Sequence, residues 1–316
     1  MNDKSMNRLR YMIVSIVCLI SGVLILFTSF HKNKDFGTDF RTKIEFASNE
    51  GRTESSAVSE TPKEVREVDG LPESEQIPGD EDLAKLDETT LLQVYWKYIN
   101  MLQILCKDVI RVGNLKEGGK EICVDPGYKP EAPCLVYSFG INHLFDFDRD
   151  VVERFGCDVH CFDPSMKNET KRLSEHIWFY RWGLGGKNEI NSKQWNMKTL
   201  DTIRRELGHT NRTIDLLKID IEGDEWNAIP QMISSGALDD VRQISMETHF
   251  SAEHANQGDY WGNLPPHKQL SSLRQLYDFG YRTFMRERNM WSHAMWHGIK
   301  GFITNVNEIS MIKPKR

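Results

Sequence analysis

Hydrophobic positions change their spacing three times along the chain. Tyr11–Phe30 is an uninterrupted apolar stretch of about 20 residues that carries no charge. At about 1.5 Å per helical residue it reaches about 30 Å, one hydrocarbon core, which predicts a transmembrane helix. Over residues 31–89 single hydrophobes lie scattered among Glu, Ser, Thr, Lys and Pro without a sustained period, the composition of a disordered stem. From Thr90 apolar positions return at helical spacing (Leu91, Val94, Tyr95, Tyr98, Leu102, Leu105, Val109). They predict one amphipathic helix over Thr90–Val112, and a Gly- and Pro-marked linker completes residues 90–132.

Residues 133–316 alternate short apolar runs with helical stretches. The predicted strands are Leu135–Phe139, Asp158–Phe162, Ile177–Trp182, Ile214–Ile221, Val241–Thr248, Tyr281–Arg286 and Ile299–Thr304. The predicted helices are Asp148–Phe155, Lys198–Leu207, Trp226–Ser235 and His267–Phe279. Alternating β and α elements imply a parallel sheet with right-handed crossovers, and two final strands without a helix between them imply an antiparallel edge. The expected fold is therefore α/β: a doubly wound, mostly parallel, seven-stranded Rossmann-like sheet behind a membrane helix and a stem.

Charge narrows the function. The net charge of -6 and the absence of a long basic run exclude a nucleic-acid-tracking surface. Lys4, Arg8 and Arg10 precede the apolar stretch and favour a cytosolic tail over residues 1–10, with residues 11–30 an uncleaved signal anchor and the rest of the chain lumenal. A single-pass type II protein of the secretory pathway follows, in the ER or Golgi lumen; a cleaved signal peptide and a secreted form are the alternative. Of six cysteines only Cys18 lies in the apolar stretch. Cys123 and Cys134 flank a Pro- and Gly-containing loop and are either bridged or two buried thiols. Asn168-Glu-Thr and Asn211-Arg-Thr are glycosylation sequons.

Candidate chemistry collects at strand ends. Ile214–Ile221 runs into Asp220 and Glu222, Gly223 permits a tight turn, and Asp224-Glu225 open a helix. Ligands bind at this edge of α/β sheets. Gly140 ends the first strand, and Asp163 ends the second at the spacing of a ribose-binding acid. Glu247 and His249 end the fifth strand beside Asp220. Asp220, Glu222, Glu247 and His249 are the candidate catalytic groups, as general bases or as a donor set suited to Mg or Mn. His293 and His297, in the aromatic loop Trp291–Trp296, are either an acceptor lid or simple packing.

Four blocks of sequence together carry a resemblance: Val136-Tyr-Ser-Phe-Gly-Ile, Phe155-Gly-Cys-Asp-Val-His-Cys-Phe-Asp-Pro-Ser, Ile214-Asp-Leu-Leu-Lys-Ile-Asp-Ile-Glu-Gly-Asp-Glu-Trp and Ile244-Ser-Met-Glu-Thr-His-Phe. They resemble the FkbM-related class I S-adenosylmethionine methyltransferases, and within them the membrane-anchored methyltransferase-like protein 24 group, over roughly residues 122–305. The resemblance implies that Ser138, Gly140 and Asn142 lie against the methionine part of the cofactor. It further implies that Asp163 holds the ribose, that Trp182 and Gly183 border the adenine, and that Asp220 faces the methyl donor. The chain departs from the family's Gly-x-Gly-x-Gly loop, having Gly140-Ile-Asn-His-Leu.

The expected activity is S-adenosylmethionine-dependent O-methylation of a small molecule or glycan acceptor. Two rivals remain: a binding module that keeps the fold without catalysis, and a glycosyltransferase using Asp146-Phe-Asp148 as a metal motif.

Overall fold

The structure, a computed structural model, describes residues 76–167, 170–250, 264–289, 293–295 and 302–314. The expected tail, anchor and most of the stem lie outside these residues, as do Asn168 and His297. Among the described residues no helix is long and apolar enough to cross a membrane. The chain divides into two units, 1–65 and 66–316, and the description concerns the second.

Two helices come first, α1 (Asp80–Leu83) and α2 (Glu88–Ile99), with the Asp87 carboxylate capping α2 through Thr90 N at 2.8 Å. Helix α2 is shorter than the expected Thr90–Val112. The chain leaves it at Asn100 and becomes strand β1 (Val109–Val112), paired antiparallel with β2 (Lys120–Cys123). The β-branched run Val109-Ile110-Arg111-Val112 is satisfied by that hairpin, and Leu102 and Leu105 are left 57% and 76% exposed. Gln243 docks the hairpin on the sheet, its amide bonding both Cys123 N and Cys123 O at 2.9 Å.

The central sheet takes β3 (Leu135–Phe139), β4 (Asp158–Phe162), β5 (Lys171–Arg172) and β6 (Ile177–Tyr180). A small sheet of β7 (Gly183–Leu184), β8 (Glu189–Ile190) and β9 (Asn196–Lys198) follows, then β10 (Ile214–Ile219) and β11 (Val241–His249) return to the central sheet. Helices α3 (Asp146–Phe155), α4 (Leu200–Glu206), α5 (Glu225–Ser234) and α6 (Pro266–Asp278) are the crossovers and cover. The last strands are β12 (Arg282–Arg288), β13 (His293–Met295), β14 (Phe302–Thr304) and β15 (Val306–Ile312).

Strand order in the main sheet is β12-β15-β11-β10-β3-β4-β6-β5. Neighbours from β11 to β6 are parallel, and β15 is antiparallel to both β11 and β12. The expected seven-stranded doubly wound sheet is present with a two-residue edge strand added. All six residues of β10 are buried, as befits a strand covered by helices on both faces.

The final sheet strand is β15, not Ile299–Thr304. Phe302–Thr304 pairs instead with His293–Met295. Asn307 and Ser310 are buried within β15 and bond Tyr95 Oη and Ser245 Oγ from distant parts of the chain, so its apolar pattern is broken although all but Glu308 is buried.

The cysteines also pair otherwise than expected. Cys106 bridges Cys123, stapling the segment before the hairpin to its second strand, and Cys134 bridges Cys157, joining the approaches to β3 and β4. Cys123 and Cys134 sit on separate elements. Cys161 is a buried free thiol.

Candidate active site

Strand β10 ends at Ile219, and Asp220-Ile221-Glu222-Gly223-Asp224 turn the chain into α5. The turn needs left-handed backbone at Glu222 (φ +55°) and Gly223 (φ +100°), an arrangement that is easy for glycine and strained for glutamate. Glu225 holds it. Its fully buried carboxylate accepts Gly223 N at 2.8 Å, His249 N at 2.6 Å and His249 Nδ1 at 3.2 Å.

Beside the turn, the loop after β3 runs through Gly140 (φ +76°), Asn142 (φ +42°) and His143 (φ +66°). Between these loops lies a cavity of about 560 Å³ at the C-terminal edge of the parallel strands. That volume falls in the range of small-molecule and cofactor sites. Its lining includes the apolar side chains of Leu184, Trp195 and Met197 and the acids Asp220, Glu222, Asp224 and Glu247, and the Lys193 ammonium lies 4.7 Å over the Trp195 ring.

The electrostatics follow from burial and pairing. Lys120, delivered by the β1–β2 hairpin, is 1% exposed, bonds Glu308 and lies 3.9 Å from Asp220. Burial opposes its charge, but Glu308, Asp220 and Glu247 outweigh this and hold its pKa well above the ordinary value. Burial likewise opposes ionisation of Asp220, and Lys120, Lys218 and His249 win, lowering its pKa. Glu247 is pushed up to about 8, first by burial and then by Asp220 and Glu308. His249 is pushed up to about 10 because Glu225, Glu247 and Asp220 outweigh the burial that disfavours its charge. Burial also raises Glu222, although its side chain is 61% exposed and solvent screens much of the effect.

Of the residues expected from sequence, Gly140, Asn142, Asp163, Gly183, Asp220, Glu222 and Glu247 line the cavity. Three others sit elsewhere. Ser138 is fully buried in β3, its hydroxyl beside the buried Asp148 carboxyl and away from the cavity lining. Trp182 packs against Tyr180, ring centres 4.9 Å apart, under the Lys198 ammonium. His249 stands behind the wall, with Nε2 3.6 Å from both Glu222 Oε2 and Glu247 Oε2.

Sequence reasoning missed Lys120, Glu308 and Trp195. Lys120 and Glu308 arrive from a hairpin and from β15, between β11 and β12, remote from each other in sequence. Trp195 is presented by the β8–β9 turn, where Asn191 Oδ1 accepts Lys193 N and Trp195 N, both at 3.0 Å. That Asn-Ser-Lys-Gln turn was the one local signal for it.

Asp220, Glu222 and His249 each bring a donor atom within 4.8 Å of the others. The imidazole is already paired with Glu225 through Nδ1 and the Lys120 ammonium lies 3.9 Å from Asp220, so a divalent ion would have to displace a proton and compete with both partners. The Asp146-Phe-Asp148 metal motif fails on burial: Asp148 is 1% exposed inside the first turn of α3, with a raised pKa, and cannot reach an ion in solvent.

Because Glu247 holds its proton to about pH 8 in the folded state and to about 4.5 in the unfolded chain, its ionisation opposes folding. Stability from this group is full below pH 4.5 and is lost as pH rises towards 8. Glu247→Gln should match the parent at pH 4.5 and exceed it by roughly 10 °C in Tm above pH 8. Thermal melts across that range test this, and a pH-independent difference would refute the assignment.

A mixed sheet in this order, with a cavity at the C-terminal ends of its parallel strands, is the Rossmann-like architecture of a methyltransferase domain. A family model described as "Methyltransferase domain" matches residues 88–303, about two thirds of the chain, and the chain belongs to that family, whose members generally use S-adenosylmethionine. It is similar to probable methyltransferase-like protein 24 of Homo sapiens, 25% identical over 171 residues, which cover 49% of this chain and 46% of that protein. The Rattus norvegicus protein of the same name is 26% identical over 179 residues, covering 49% and 47%. The match thus spans about half the length of these relatives. No solved structure matches the chain.

Proposed function

We propose that this chain is an S-adenosylmethionine-dependent O-methyltransferase acting on a small-molecule or glycan hydroxyl in the lumen of the secretory pathway, held there by a signal anchor over residues 11–30. The observation that carries the reading is the cavity itself, whose lining combines Trp195 and Met197 with the acids Asp220, Glu222 and Glu247. The aromatic and apolar lining suits a purine, and the acids suit a cationic sulfonium with its ammonium group. Two disulfides, which persist in oxidising compartments, and the exposed Asn211 of a sequon support the lumenal location.

The cofactor supplies an electrophilic methyl group. The protein's own residues bind, orient and move a proton. Asp220, kept ionised by Lys120 and Lys218, presents a carboxylate to the cavity. Glu222, partly exposed and with a raised pKa, takes the proton that the acceptor hydroxyl loses. Glu247, protonated below about pH 8, orients the acceptor oxygen by donating a hydrogen bond. Much of the rate then comes from alignment of the acceptor with the methyl group.

Calorimetric titration of the full chain in detergent with S-adenosylmethionine and S-adenosylhomocysteine should give dissociation constants on the order of micromolar, about −8 kcal/mol. Absence of binding to the folded chain would overturn the reading.

A further inference from the structure

In nucleotide-binding sheets the acid that closes the second strand accepts hydrogen bonds from ribose hydroxyls. In this chain that carboxylate is already occupied. Asp163 Oδ2 accepts Ile141 N at 3.0 Å and Asn142 N at 2.8 Å, and Oδ1 accepts Ser165 N at 2.8 Å and Ser165 Oγ at 2.6 Å. A carboxylate offers about four lone-pair sites, and four donors fill them. The residue is only 4% exposed.

Two of those donors are consecutive amides of the loop after β3. From below the same loop, the buried Lys218 Nζ donates to Gly140 O at 2.8 Å and to Phe139 O at 3.4 Å. The loop has left-handed backbone at Asn142 and His143, which costs on the order of 1 kcal/mol at each non-glycine residue and persists only when the surroundings enforce it. One cationic side chain holds its carbonyls and one anionic side chain holds its amides.

We infer that Asp163 and Lys218 form a clamp that fixes the Gly140–His143 loop in its cofactor-receiving shape, and that Asp163 is a positioning residue and not the ribose ligand. The clamp does the work that further glycines would do in a loop free to adopt these angles. The inference rests on reading the cavity as an S-adenosylmethionine site. The loop is the segment that the family resemblance sets against the methionine part of the cofactor, so loss of the clamp falls on that half of the ligand.

The test combines hydrogen exchange of the loop in the ligand-free full chain with titrations of S-adenosylhomocysteine and adenosine. Asp163→Asn keeps the shape but turns an NH₂ group towards donors, and Lys218→Met keeps the stem without the ammonium. Each should speed exchange of residues 139–145 by about tenfold or more while the peptides of β10 and β11 keep their protection. Asp163→Asn should weaken S-adenosylhomocysteine by about tenfold or more and adenosine by less than about threefold. Equal loss of both ligands with unchanged loop exchange would return Asp163 to the ribose and overturn the clamp. Should Asp163→Asn fail to fold, Lys218→Met carries the same two readouts, and unchanged exchange and affinity in it would overturn the clamp. Failure of the parent to bind either ligand overturns the methyltransferase reading instead, and the exchange measurement then decides the clamp by itself.

Discussion

Gly140→Ala is expected to destabilise the domain by about 3–5 kcal/mol and to abolish cofactor binding. A β-carbon at this position would stand 1.6 Å from the carbonyl oxygen of Asp220, a main-chain atom at the end of the neighbouring strand. The contact is impossible without parting β3 from β10, and the φ of +76° is itself unfavourable for alanine. Gly156→Ala is the internal control. Gly156 ends α3 with φ +67°, and its nearest neighbour would be the Ala132 side chain at 3.6 Å, so only the backbone cost of about 1 kcal/mol remains. Calorimetric melts of both variants with S-adenosylhomocysteine titrations separate the two contributions. Equal effects would show that the approach of Gly140 to Asp220 is not what matters.

The second large effect belongs to Glu225. It is 0% exposed and its carboxylate receives three hydrogen bonds, two from His249 and one from the Gly223 amide that closes the turn. Glu225→Ala removes one partner of a buried ion pair and leaves the imidazolium uncompensated, which costs about 3–5 kcal/mol. Glu225→Gln is more informative, because the amide can still accept from Gly223 while its negative charge is gone. In that variant the His249 pKa should fall from about 10, since burial then opposes the charge with Glu247, Asp220 and the partly exposed Glu222 left to support it. The pKa, read by NMR of the histidine ring, is a quantity that simple loosening of the turn would not move. An unchanged value would show that Glu225 does not set the protonation of His249.

Much of the fold was legible because local pattern and tertiary role coincide. Ile214–Ile219 is an unbroken apolar run, and β10 is buried on both faces. Where the two diverged, the reading failed. Val306–Ile312 hides two polar side chains in the interior, so its pattern resembles a tail, and the sheet strand was assigned seven residues too early. In the segment after α2, helical spacing continued by coincidence to Val109 although the backbone had already left the helix.

The site divided in the same way. Asp220, Glu222, Glu247 and Gly140 were legible since each ends a strand at the edge where α/β sheets bind ligands. Asp163 was found by its spacing, but its partners were not, because the direction in which a carboxylate spends its lone pairs depends on loop geometry that spacing does not encode. The resemblance sets Trp182 at the adenine, yet Trp182 packs on Tyr180 and the tryptophan that lines the cavity is Trp195, brought over from a hairpin turn.

By itself, then, the sequence determined the alternating sheet, the edge at which chemistry collects and the acids that close its strands, all properties carried by periodicity and strand ends. Tertiary structure decided which charges meet. Lys120 and Glu308 are 188 residues apart in sequence and in contact in the fold. Their pairing sets the protonation of Asp220 and Glu247, because the energy of a buried charge depends on distance and desolvation, and neither exists until the chain has folded.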